Sequence, residues 1–172
     1  MQMLDRSGIE VVTDRLRASD PDNPRGYYEY EAVKNLREDA TWIPEARGKA
    51  VKIVSLLLYH LPPTERYRIV FMERDLEEVV HSQEAMLLRL NRNAAPHEEM
   101  CESYKTHLKG LENWLAEKTN MSVLRIDYKD LVEQPRVQAQ RVSDFLQIAL
   151  DVDAMASAVD PALYRQRNRN GF

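Results

Sequence analysis

The sequence predicts an α/β protein with three layers, α/β/α, around a mostly parallel sheet. Two observations lead there. Runs of β-favouring apolar residues alternate along the chain with segments whose apolar residues recur at helical spacing. One run, Lys49–Leu58, is almost continuously apolar, as a strand buried on both faces should be. The clearest switch of period falls within Tyr67–Ser82. Ile69, Val70 and Phe71 read as a buried strand; then Leu76, Val79, Val80, Met86, Leu87 and Leu90 line one helical face.

The elements follow in order. Met1–Leu4 and the triplet Arg6-Ser7-Gly8 precede a short candidate strand, Ile9–Thr13. Ser19–Gly26 has the turn chemistry of a loop. Tyr27–Asp39 reads as helical from about Glu29, with Ala32, Val33 and Leu36 on one side. The Lys49–Leu58 strand is stopped by His60-Leu-Pro-Pro63, where the prolines cannot continue a ladder. The central strand and helix run from Arg68 to about Arg92. Asp75, just ahead of the helical face, has Glu78 three residues on, a capping-box spacing with Asp as the cap. After a break at Asn93–Pro96, Met100, Tyr104, Leu108, Leu111 and Leu115 mark a long amphipathic helix ending near Lys118. Ser122–Asp127 is the last clear strand. Tyr128–Gln134 is a short turn-rich piece stopped by Pro135, and Val142, Phe145, Leu146 and Ala149 pattern a further helix. From Asp160 onward the chain has turn chemistry and a basic tail. With no repeat and no linker, residues 1–172 read as one domain with one sizeable core.

Composition narrows the function. Hydrophobic residues make up 44% and charged residues 30%, ordinary values for a globular protein. A net charge of −4 excludes the basic footprint of a non-specific nucleic-acid binder, so an anionic ligand must meet locally placed Arg and Lys. No apolar run is long enough to cross a bilayer, and no signal peptide is read at the start. Cys101 is the single cysteine, so no internal disulfide forms and a reducing cytoplasm is the expected compartment.

Arg74 carries the most chemistry. It stands at the carboxyl end of the central strand, where ligands bind in open α/β sheets. There it offers a planar, two-pronged donor to a phosphate. Ser82, eight residues on along the helix, adds a hydroxyl to the same anion. The alternative for the pair is a surface carboxylate for Arg74 and a solvated Ser82. His97-Glu-Glu-Met-Cys101 has no third ligand in sight along the sequence, so no metal is expected.

Arg74-Asp-x-x-x-x-Val-x-Ser82 after an apolar strand resembles the 3′-phosphate-binding segment of the sulfotransferases. Asp22–Glu29, Lys49–Val54, Tyr59–Pro62, Val123–Leu131 and Val159–Tyr164 are similar, in order and spacing, to segments of bacterial members. Two departures stand out: Leu76 occupies a position where the family often has Pro, and Glu73 sets an acid beside Arg74. The resemblance implies a P-loop-like fold, with 3′-phosphoadenylyl sulfate (PAPS) as cosubstrate and sulfuryl transfer to an acceptor hydroxyl or amine. It makes Arg74 and Ser82 ligands of the 3′-phosphate, the group also carried by the product 3′,5′-ADP. Arg165 and Arg167, in the basic tail, are further candidates for that phosphate. His60 is a candidate base for the acceptor, as the end of a central strand facing the same crevice, and Glu29 and Glu31 are its rivals.

The family's 5′-phosphosulfate loop has no counterpart in the sequence. A phosphate-cradling loop needs a strand before it and a helix after it. Arg6-Ser7-Gly8 has neither, and the better match puts Met1–Leu4 inside the helix that follows the loop in relatives. The expectation is a fold lacking its first strand, N-terminally truncated, with impaired transfer. It should also self-associate through the sheet edge left exposed. A non-catalytic remnant that binds 3′-phosphoadenosine nucleotides or a partner protein, and a generic structural α/β domain, are the two other readings.

Overall fold

The computed structural model describes residues 1–20, 23 and 25–164. Chain order begins with α1 (Gln2–Arg6) and passes through 3-10 turns at Glu31–Asn35, Ile43–Ala46 and Ser55–His60. It then runs β1 (Tyr67–Glu73), α2 (Leu76–Arg89), α3 (His97–Ala116), β2 (Met121–Asp127), α4 (Tyr128–Glu133), α5 (Pro135–Leu146) and α6 (Val152–Ser157). The fold is α/β, with a small parallel sheet among helices.

β1 and β2 pair in parallel from Tyr67 opposite Met121 to Glu73 opposite Asp127. A parallel pair needs a long crossover, and α2 and α3 provide it. Side chains alternate across the sheet, and the alternation sorts them into two cores. Tyr67, Ile69, Phe71, Met121 and Val123 pack toward Leu36, Ile43, Leu58, Leu61, Leu111 and Leu115. Val70, Leu124 and Ile126 pack toward Ala139, Val142 and Met155, with Met3 and Leu4 of α1 joining them. The sheet therefore lies between two apolar layers.

Helix ends follow local chemistry. The Asp75 carboxylate accepts the Glu78 backbone N–H at 3.2 Å, as the capping spacing predicts. Asp127 accepts the N–H groups of Lys129 and Asp130 at the start of α4, and Asp151 accepts that of Ala154 in α6. Pro135 opens α5, where its missing N–H costs nothing. Gln147 closes that helix in the left-handed conformation, with φ of 56°. Asp75→Ala should lower unfolding free energy by about 1 kcal/mol, the usual value of an N-cap. A denaturant midpoint shifted at constant slope is the expected readout; no shift would mean that the cap is redundant.

Two predicted strands are not strands. Ile9–Thr13 and the start of Lys49–Leu58 meet in a single parallel bridge, Val11 with Ala50. Beyond Val54 the chain winds into the Ser55–His60 turn. The reason is legible in the burial. Leu58 and Leu61, three residues apart, are both buried, whereas Leu56 and Tyr59 are exposed. Period three in an apolar run signals a 3-10 turn, and an almost continuous run hides which period operates. Likewise, Tyr27–Asp39 holds only a short 3-10 turn, Glu31–Asn35.

Between the extended Lys49–Val54 segment and β1 lies an open cleft of about 2080 Å³. Met1 to Leu4 and the α3 residues Tyr104 and Leu108 also line it. Its volume is roughly twice the upper end for a small-ligand pocket, about 1,000 Å³. Among the described residues, β1 has β2 as its only strand partner. Residues of β1 and of Lys49–Val54 both contribute to the cleft lining.

Candidate active site

Arg74 follows β1 directly, so strand and turn deliver its guanidinium to the carboxyl end of the sheet. Its Nε donates to Glu78 Oε2 at 2.9 Å, one helical turn on. The rings of Tyr128 and Tyr164 lie 5.2 and 5.3 Å from the guanidinium carbon. The two rings meet edge to face. Glu78 is 5% exposed. Its other oxygen accepts the Tyr164 hydroxyl at 2.8 Å. Burial, and then the bond to Glu78, push the Tyr164 hydroxyl up to about 12, so it remains a donor throughout the physiological range. A carboxylate on one side and two rings around it thus fix the guanidinium plane. With five donors in a rigid fork, Arg can serve a carboxylate and a phosphate together.

The cleft lining holds eight Arg and Lys residues against four Asp and Glu, in a protein whose net charge is −4. Arg74 and Lys52 are among the eight. Lys52 Nζ donates to the Tyr27 carbonyl at 2.9 Å and lies 3.7 Å from Glu29. Arg74 also borders a smaller pocket of about 300 Å³ with Lys129, but Asp75, Glu78, Asp127 and Glu133 line that one as well. Charge therefore favours an anion on the cleft side. Glu73, the acid beside Arg74, has its carboxylate on Arg125, which also reaches Glu112.

The other candidates separate. Ser82 lies on the second turn of α2 and does not line the cleft. His60 ends a 3-10 turn and not a central strand, and it too lies outside the cleft lining. Its Nε2 sits 3.5 Å from Arg37 Nε. The cause is the same misread period that removed the strand. Glu31 pairs with Lys34 at 2.7 Å on an open face. Glu29 pairs with Arg17 at 3.0 Å and, through Lys52, stands one side chain away from the cleft. Arg165 and Arg167 lie outside the described residues.

Three participants escaped the sequence reading: Glu78 as the partner of Arg74, and Tyr128 and Tyr164 as its walls. Glu78 showed only as a capping-box residue. Both tyrosines fall in segments already noted for their family likeness, but nothing in their spacing points at Arg74.

The chain is thus an α/β protein that sets an arginine at the carboxyl end of a parallel sheet, beside a cleft rich in cations. A family model described as "Sulfotransferase family" matches residues 14–152. The chain belongs to the sulfotransferase family. Neither the comparison with curated proteins nor that with solved structures returned a match.

Proposed function

We propose that this chain binds a 3′-phosphoadenosine nucleotide through Arg74, and that within its 172 residues sulfuryl transfer from PAPS is impaired. The observation that carries the reading is the orientation of Arg74 by buried Glu78 at the sheet end, beside a cleft rich in cations. The 3′-phosphate distinguishes PAPS and 3′,5′-ADP from ordinary adenine nucleotides. Calorimetric titration with 3′,5′-ADP and with 5′-AMP tests it. Tighter binding of 3′,5′-ADP is expected; equal affinities would contradict it.

The membership of the family supports PAPS as cosubstrate and an acceptor hydroxyl or amine. Such chemistry relies on placed donors around the leaving phosphate and on a base for the acceptor. Among the candidate bases, Glu29 is best placed, because its partner Lys52 lines the cleft. Ser82, Arg165 and Arg167 remain proposed helpers at the 3′-phosphate. Gly8, Gly26 and Gly48 adopt positive φ, but none of them is followed by a helix within the next four residues. Binding without efficient transfer follows.

Among the described residues β1 pairs with β2 alone, and this has a second consequence. Val54, Leu56 and Met72 expose 57%, 62% and 46% of their surface beside the cleft. Apolar strand edges recruit other strands. The isolated chain should dimerise or aggregate through this edge, and light scattering will show mass rising with concentration. A constant monomer mass over the same range would contradict the proposal.

A further inference from the structure

From sequence, His97 and Cys101 lacked partners; the fold supplies them. On α2, Glu77 and His81 stand four residues apart and Glu84 three further on, so all three share one face. On α3, His97 and Cys101 are also four apart. The two faces meet. His97 Nε2 lies 2.7 Å from Glu77 Oε2, and its Nδ1 lies 3.0 Å from Glu84 Oε1. Cys101 Sγ lies 3.6 Å from Glu77 Oε1. The His81 and His97 rings are 4.8 Å apart, and one ligand atom from each of Glu77, His81 and His97 falls within 4.8 Å of the others.

We propose that Glu77, His81, His97 and Cys101 form a zinc(II) site that clamps α2 to α3. Two imidazoles, a carboxylate and a thiolate are a donor set suited to a borderline-soft ion that favours four-coordination. With Zn–N and Zn–O bonds of about 2.0–2.1 Å and Zn–S of about 2.3 Å, tetrahedral donors lie about 3.3–3.6 Å apart. His97–Glu77 at 2.7 Å and Cys101–Glu77 at 3.6 Å are close to that range, and the Glu77, His81 and His97 ligand atoms lie within 4.8 Å of one another. Glu77 and His81 are exposed, so changes of rotamer can close the remainder without moving either helix.

The proton balance is simple. Carboxylates only accept, so both ring nitrogens of His97 donate in the metal-free protein. Zinc takes the place of the Nε2 proton and of the Cys101 thiol proton, and both protons pass to solvent. Glu84 keeps the Nδ1 proton and becomes the outer carboxylate that orients a metal-bound imidazole. The site lies on the crossover between β1 and β2, on the helix that leaves Arg74. Its effect is to fix α2 against α3.

The test uses the full, untagged chain stripped with chelator. Zinc titration by calorimetry should show stoichiometric uptake of a single ion, with a rise in melting temperature. Cobalt(II) should give the intense visible bands of a tetrahedral centre and a thiolate charge-transfer band. Cys101→Ser should remove that band, and His81→Ala, at an exposed position, should abolish stoichiometric uptake while leaving the fold intact. Glu84→Gln should weaken zinc about 10–100-fold, as loss of an outer-sphere partner does. Absence of zinc uptake, a weak octahedral cobalt spectrum, or uptake unchanged in His81→Ala and Cys101→Ser would overturn the proposal.

Discussion

Turnover of PAPS by the 172-residue chain should fall at least about 10²–10³-fold below that of a form carrying a strand and glycine-rich turn ahead of α1, because losing a single preorganised oxyanion donor already has that effect. As the sulfuryl group leaves, charge develops on the bridging and phosphate oxygens. Converging backbone N–H groups at a helix N-terminus are the means of meeting it. The described part of this chain lacks that arrangement. Gly8, Gly26 and Gly48, the described glycines with positive φ, are not followed by a helix within the next four residues. The measurement is a PAPS turnover assay of the chain beside one extended upstream by about 15–25 residues, the length of one strand and its turn. Comparable rates would contradict the proposal.

Arg74→Ala should weaken 3′,5′-ADP by about 1.5–3 kcal/mol, the scale of a hydrogen bond to a charged group, or roughly 10–150-fold in Kd. It should affect 5′-AMP much less. The substitution also leaves Glu78 buried without its guanidinium partner, so the melting temperature should fall as well. Comparing the two nucleotides on the same variant separates the effects: a loss of fold would depress both, and a loss of phosphate recognition only one. Arg74→Lys, which keeps the charge but not the planar fork, should lie between.

Much of this was visible in the residues. The β1-to-α2 switch was legible because two periods abut within one segment, with Asp75 marking the boundary. α3 was legible because it keeps one helical period over its length, and β2 because its short run is rich in β-favouring apolar residues. Lys49–His60 misled because the three consecutive leucines Leu56–Leu58, after the apolar run before them, satisfy periods of two and three alike, and only burial shows that Leu58 and Leu61 decide. That error carried His60 with it. The surroundings of Arg74 were beyond sequence reading because Tyr128 and Tyr164 come from segments 54 and 90 residues away in number. The Glu77–His97 pairing was hidden likewise, since helical spacing reports faces within α2 and α3 but not which faces meet.

The central claim, that Arg74 reads the 3′-phosphate, is tested most directly by ³¹P NMR of 3′,5′-ADP, whose two phosphorus nuclei are distinct probes. Titration with the wild-type chain should perturb the 3′ resonance, and Arg74→Ala should abolish that response while the adenosine end still binds. A 3′ resonance that does not respond to the wild-type chain, or that responds equally to the variant, would contradict the account.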